Sequence, residues 1–122
     1  MKLFLVIGAI NGFIAVALGA FGAHGLEGRL SEKALATWEK AVNYQMFHTM
    51  ALLVTGLVFA KIQSMGLLWA GWLFLIGIIL FSGSLYLYST TGVKTFAMVT
   101  PIGGVAFLAA WALLGYAVVK YL

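Results

Sequence analysis

The polar positions of this chain are gathered into short breaks between long apolar runs. Residues 3–23 carry no charged side chain. At about 1.5 Å per residue the run matches a hydrocarbon core of about 30 Å. Comparable runs cover residues 41–60, 67–88 and 96–119, and the pattern predicts four membrane-spanning helices. The turns between them are short, so an all-α, antiparallel four-helix bundle in a single membrane domain follows.

Within the first run, Gly8, Gly12, Ala15, Gly19 and Gly22 recur every three or four residues and make one face of low bulk beside Asn11. Another helix can approach such a face closely, and the Asn11 amide is expected to face protein, because an unpaired amide in lipid is costly. Ala70, Gly77 and Ser84 form a second small-residue stripe, and Gly83, Gly103 and Gly104 are further packing positions. Pro101 either breaks one hydrogen bond inside the fourth helix or occupies its first turn.

The stretch from Gly19 to His48 departs from this monotony. It holds Glu27, Glu32 and Glu39 and both histidines. Gly25 or Gly28 offers a positive φ to end the first helix. Ser31 reads as an N-cap, with Glu32 well placed in the first turn. Residues 31–40 then segregate Leu35 and Trp38 from Glu32, Lys33, Glu39 and Lys40, as an amphipathic interfacial segment does. No Gly or Pro separates this segment from residues 41–60, so the two are compatible with one long helix.

Composition sharpens the class. Of 122 residues, 64% are hydrophobic and 8% charged, with mean hydropathy +1.10. Soluble domains carry roughly 25% charged residues, so lipid has to cover most of the surface. The net charge of +4 is scattered near the edges of the apolar runs, which suits lipid head groups and not nucleic acid. The absence of cysteine excludes disulfides and thiol chemistry. The N-terminal run is too long for a signal peptide core and reads as a retained span. Lys and Arg divide three against four between the two sides, which leaves orientation undecided.

Candidate chemistry centres on His24 and His48. Two imidazoles suffice for a bis-histidine haem, and a quinone site is the related alternative. Transport of protons, ions or small solutes would have to rely on His48, Asn11 and Gln45, since the deep parts of the spans hold no Asp, Glu, Lys or Arg. The plainer reading is that His24 meets head groups while His48 hydrogen-bonds between helices. A metal site lacks a third ligand. A hydrolase lacks an acid set beside a histidine, and no catalytic residue is assigned.

GAFGAHGL at 19–26, YQMFH at 44–48, FSGSLY at 81–86, and TPIGG at 100–104 followed by Phe107 and Trp111 resemble the small bacterial membrane proteins grouped as domain of unknown function 423, a family similar to the transmembrane protein 256 group. The resemblance covers essentially the whole chain. It implies a four-span, multi-pass protein of the bacterial plasma membrane and transfers no catalytic assignment and no cofactor. It directs attention to motifs that the four-span layout brings toward one membrane face. A polar ligand pocket is therefore expected from His24, Gln45, His48, Ser82, Ser84, Tyr86 and Thr100. The sharp form of this expectation puts His24, Gln45, His48 and one of Ser82, Ser84 or Tyr86 in side-chain contact. Expected partners are membrane lipid and either further copies of the chain or a larger membrane protein. The overall reading is a structural, accessory or small-ligand-binding membrane protein.

Overall fold

A computed structural model of the chain describes residues 2–122. Four long helices account for nearly all of it: α1 (Lys2–His24), α2 (Glu32–Lys61), α3 (Met65–Thr91) and α4 (Lys94–Tyr121), each long and apolar enough to cross a membrane. The amphipathic segment is not a separate element. It is the first part of α2, which runs unbroken into the apolar part.

Local chemistry marks the helix ends. The Ser31 hydroxyl accepts from the Ala34 N–H at 3.1 Å, and Ser64 does the same for Leu67 at 3.2 Å. These contacts satisfy amide donors that the first turn of a helix leaves free. Gly28, at φ 82°, turns the chain between α1 and α2, and Gly92, at φ 73°, ends α3. Both are conformations that a Cβ disfavours.

α1 lies along α2, α4 lies along α3, and α2 meets α3 between the two pairs. The small stripe on α1 sets the first pairing. Gly8 faces Leu53, Gly12 faces Thr49, Gly19 faces Val42 and Gly22 receives the Trp38 indole. Gly77 admits the Phe107 ring. Gly71, which the sequence pattern did not single out, admits Phe4 in the same way, and Gly56 lies against Phe4 and Leu5. At Gly103 the approach is backbone to backbone, against Leu80 and Phe81. Two expected packing positions behave differently. Gly83 has nothing within 4 Å of a built Cβ, and Gly104 has only the Phe81 ring, at 4.0 Å. Both border open space, Gly83 between α1 and α3 and Gly104 between α2 and α4.

The main core sits toward the end of the bundle that carries the termini. Phe4, Leu52, Leu67, Phe74 and Ala110 are fully buried there, and Phe4 meets Trp72 edge-on at 5.5 Å. Leu26, Trp38 and Val42 form a smaller cluster near the opposite end.

Two irregularities shape the middle of the bundle. α3 contains a π-helical segment, Ile78–Gly83. Pro101 lies inside α4, not at its start, so the Ala97 carbonyl receives no N–H from residue 101. Both sit where Gly103 presses on the Leu80–Phe81 backbone. The wider π turn presents Phe81 on one side and Ser82 on the other.

Candidate functional site: two clefts and two polar clusters

The residues expected to share one pocket separate into several places. Gln45 and His48 are three positions apart on α2, which at 3.6 residues per turn puts them about 60° apart around the helix. That divergence is enough to send them to different neighbours.

Gln45 faces α1 and α3. Its Nε2 donates to Asn11 Oδ1 at 3.3 Å, and its Oε1 accepts from the Tyr86 hydroxyl at 2.7 Å. Asn11 Nδ2 donates in turn to the Ile7 carbonyl at 3.1 Å. The chain Tyr86–Gln45–Asn11–Ile7 thus ties three helices together. Gln45 and Asn11 are buried, 5% and 8% exposed, so satisfying each other removes a desolvation cost that neither bears alone. Tyr86 also packs against Trp38 at 4.6 Å, and the Trp38 indole donates to the Leu18 carbonyl at 2.9 Å. Beside this chain lies a cleft of about 260 Å³ between α1 and α3, bordered by Asn11, Gln45, Ser82, Gly83 and Tyr86.

His48 faces α4. Trp111 Nε1 donates to His48 Nε2 at 3.0 Å, and His48 Nδ1 lies 2.8 Å from the Tyr44 carbonyl. An indole N–H only donates and a carbonyl only accepts, so the partners assign the proton to Nδ1 and the lone pair to Nε2. The imidazole is neutral and both nitrogens are engaged. Phe107 stacks on its face with centroids 3.5 Å apart and planes at 8°. No nitrogen is left for a metal or a haem iron without breaking this arrangement.

Ser82 and Ser84 serve helix contacts. Ser82 donates to the Ala41 carbonyl at 2.7 Å, joining α3 to α2. Ser84 and Thr100 lie 2.6 Å apart and join α3 to α4. Thr49 Oγ1 is the one buried side-chain polar atom without a partner among the described residues.

His24 stands apart from all of these. It is exposed at the end of α1. The pairing of Gly12 with Thr49 and of Gly22 with Trp38 puts His48 level with about residue 13 of α1. Eleven residues of helix then separate the two histidines by about 16 Å along the axis. The sequence expectation of contact between them is corrected here. It treated His48 as lying near the start of the second span, whereas α2 begins at Glu32 and His48 is near its middle. One haem cannot take both.

A larger cleft, about 760 Å³, lies between α2 and α4. It is bordered by Asn43, Tyr44, Phe47 and His48 from α2, by Phe81 from α3, and by Pro101, Gly104, Val105, Phe107, Leu108 and Trp111 from α4. Tyr44 stacks on Phe81 at 4.4 Å to form part of its wall. Phe47, Val105 and Leu108 are largely exposed, so the cleft opens sideways toward the lipid-facing surface. Phe107 and Trp111 fall one helical turn apart, a spacing visible in the sequence. Nothing in that spacing links them to His48 until α2 and α4 are placed.

Among the described residues, the interior does not offer a continuous polar path. Beyond Asn11, toward the termini, it is filled by Phe4, Leu52, Leu67 and Phe74, and the Thr55 hydroxyl there donates to its own helix at the Ala51 carbonyl.

Comparison with known proteins agrees with this architecture. A family model described as "Protein of unknown function (DUF423)" matches residues 18–104. A UPF0382 membrane protein of Staphylococcus epidermidis is 50% identical over 121 residues, covering 99% of this chain and 98% of its own length. The UPF0382 membrane protein YwdK of Bacillus subtilis is 48% identical over 123 residues and is covered completely, as is this chain. No solved structure matches. With the family model matching most of the chain and the relatives matching all of it, the protein is a membrane protein that belongs to the DUF423 family.

Proposed function

We propose that the protein is a multi-pass protein of the bacterial plasma membrane that holds a lipid-soluble ligand in the cleft between α2 and α4. The observation that carries this reading is the cleft itself: about 760 Å³, walled by aromatic and aliphatic side chains and open to the side of the bundle. Small-molecule sites typically occupy about 300–1,000 Å³ and have mostly apolar walls. Tight helix packing would close such a gap. Here Phe81 and the His48–Phe107 stack form its floor. Because the His48 and Trp111 nitrogens satisfy each other, that floor offers ring faces and not free donors. Its preference is for an apolar body.

The test uses Trp111 as a reporter. In a Trp69→Phe/Trp72→Phe protein, Trp38 and Trp111 remain, and Trp38 lies in the other cluster. A long-chain bromoalkane titrated into detergent-solubilised protein quenches Trp111 saturably. Gly104→Leu places a side chain in the cleft and removes the saturable part. Equal quenching with and without Gly104→Leu refutes the reading.

A further inference from the structure

The cleft is not uniform along its length. Asn43 stands at its end nearer the α1–α2 turn, exposed and with no hydrogen-bond partner among the described residues. An amide facing lipid without a partner is costly, which distinguishes Asn43 from Asn11 and Gln45, whose amides are paired. The α1–α2 pairing puts Asn43 level with about residue 18 of α1, some 9 Å along the axis from His24. Lys40 lies one turn further out on the same side of α2 and is exposed. On α4, Lys94 lies two turns outward from Pro101, which borders the same cleft, and is exposed as well. Among the described residues, neither lysine takes part in an ion pair. Asn43 also borders the shallow α1–α2 groove, where Glu39 lies, away from this cleft. In the other direction the cleft extends to Trp111, ten residues along α4 from Pro101, a length of about 15 Å. That is about half of a hydrocarbon core of about 30 Å, the depth of one leaflet.

Cation, amide and apolar slot therefore follow one another in the order phosphate, ester and acyl chain of a glycerophospholipid. We propose that the ligand is an anionic phospholipid, its phosphate between Lys40 and Lys94, an ester carbonyl accepting from the Asn43 amide, and one acyl chain lying in the cleft toward Trp111. This rests on the cleft being a binding site and adds the class of ligand. Each lysine near a membrane surface favours anionic lipid severalfold, so two of them supply a preference of about tenfold or more over a zwitterionic lipid.

The experiment titrates chain-brominated phosphatidylglycerol, chain-brominated phosphatidylcholine and the bromoalkane into the Trp69→Phe/Trp72→Phe protein in micelles. Phosphatidylglycerol is expected to reach half-quenching of Trp111 at about one tenth of the phosphatidylcholine mole fraction. Lys40→Gln/Lys94→Gln erases that preference and leaves bromoalkane quenching unchanged. Asn43→Leu weakens both phospholipids severalfold and not the bromoalkane. Equal quenching by the two phospholipids, or a preference that survives the double lysine change, overturns the proposal while the cleft reading stands. Loss of saturable quenching by all three probes sinks the cleft reading instead. A dimer in solution that Asn43→Leu dissociates, with Trp111 inaccessible to all the probes, gives this face to a second copy and also overturns it.

Discussion

Replacing Gly103 by alanine tests the contact that joins α3 to α4. A Cβ at this position would lie 2.8 Å from both the Leu80 carbonyl carbon and the Phe81 Cα. Comfortable carbon–carbon separations are about 3.5–4.0 Å, so the two backbones have to part by roughly 1 Å. Backbone does not yield as a side-chain tip does, and the π-helical turn that carries Leu80 and Phe81 moves as a unit. Overpacking of this kind costs about 1–3 kcal/mol. The nearby Ser84–Thr100 contact, now 2.6 Å, stretches with it, and an interhelical hydrogen bond in a membrane protein is worth about 0.6 kcal/mol on average and at most about 1.7. The expected loss is therefore about 2–4 kcal/mol. Reversible unfolding in mixed micelles, followed by tryptophan fluorescence, measures it. Gly83→Ala is the control, since nothing lies within 4 Å of a Cβ there. It should be neutral, or stabilising by up to about 1 kcal/mol through helix propensity. If Gly103→Ala and Gly83→Ala unfold alike, the close approach of α3 and α4 is wrong.

Other changes probe the polar clusters. Tyr86→Phe removes the donor to Gln45 and should cost about 1 kcal/mol in the same unfolding assay, and a double-mutant cycle with Asn11→Ala should show coupling through Gln45. An additive cycle would break the proposed chain. Trp111→Phe leaves His48 Nε2 without its donor and should shift the imidazole ¹⁵N resonances while costing about 1–2 kcal/mol, as expected for an acceptor left unsatisfied. Unchanged resonances would exclude that hydrogen bond. His24→Ala, at an exposed helix end, should change stability by less than about 0.5 kcal/mol and leave Trp111 quenching untouched. A large effect of His24→Ala on that quenching would restore a shared histidine site.

Reading residues by type located most of the chemistry and misjudged its grouping. Asn11 as an interhelical amide, Ser31 as a cap and the small-residue face of α1 were all legible, because each depends on local chemistry or on helical period. The single polar pocket was not. It required Gln45 and His48 to share a neighbour, and a divergence of about 60° directs one to Tyr86 and the other to Trp111. Ser82, Ser84 and Thr100 were legible as polar positions, but their hydroxyls are engaged in holding helices together.

By itself, the sequence determined that this is an all-helical membrane protein with four apolar runs, capped turns and an amphipathic start to the second helix. Those features follow from composition and periodicity, which act along the chain. Only the tertiary structure decided that α2 stands between two unlike clefts, that His48 pairs with Trp111, and that Asn43 is left facing the wider cleft without a partner among the described residues. These follow from which ring enters which glycine notch and from the π turn where α3 and α4 touch. Such choices are made between helices of similar apolar character, where steric fit and not residue type selects the neighbour.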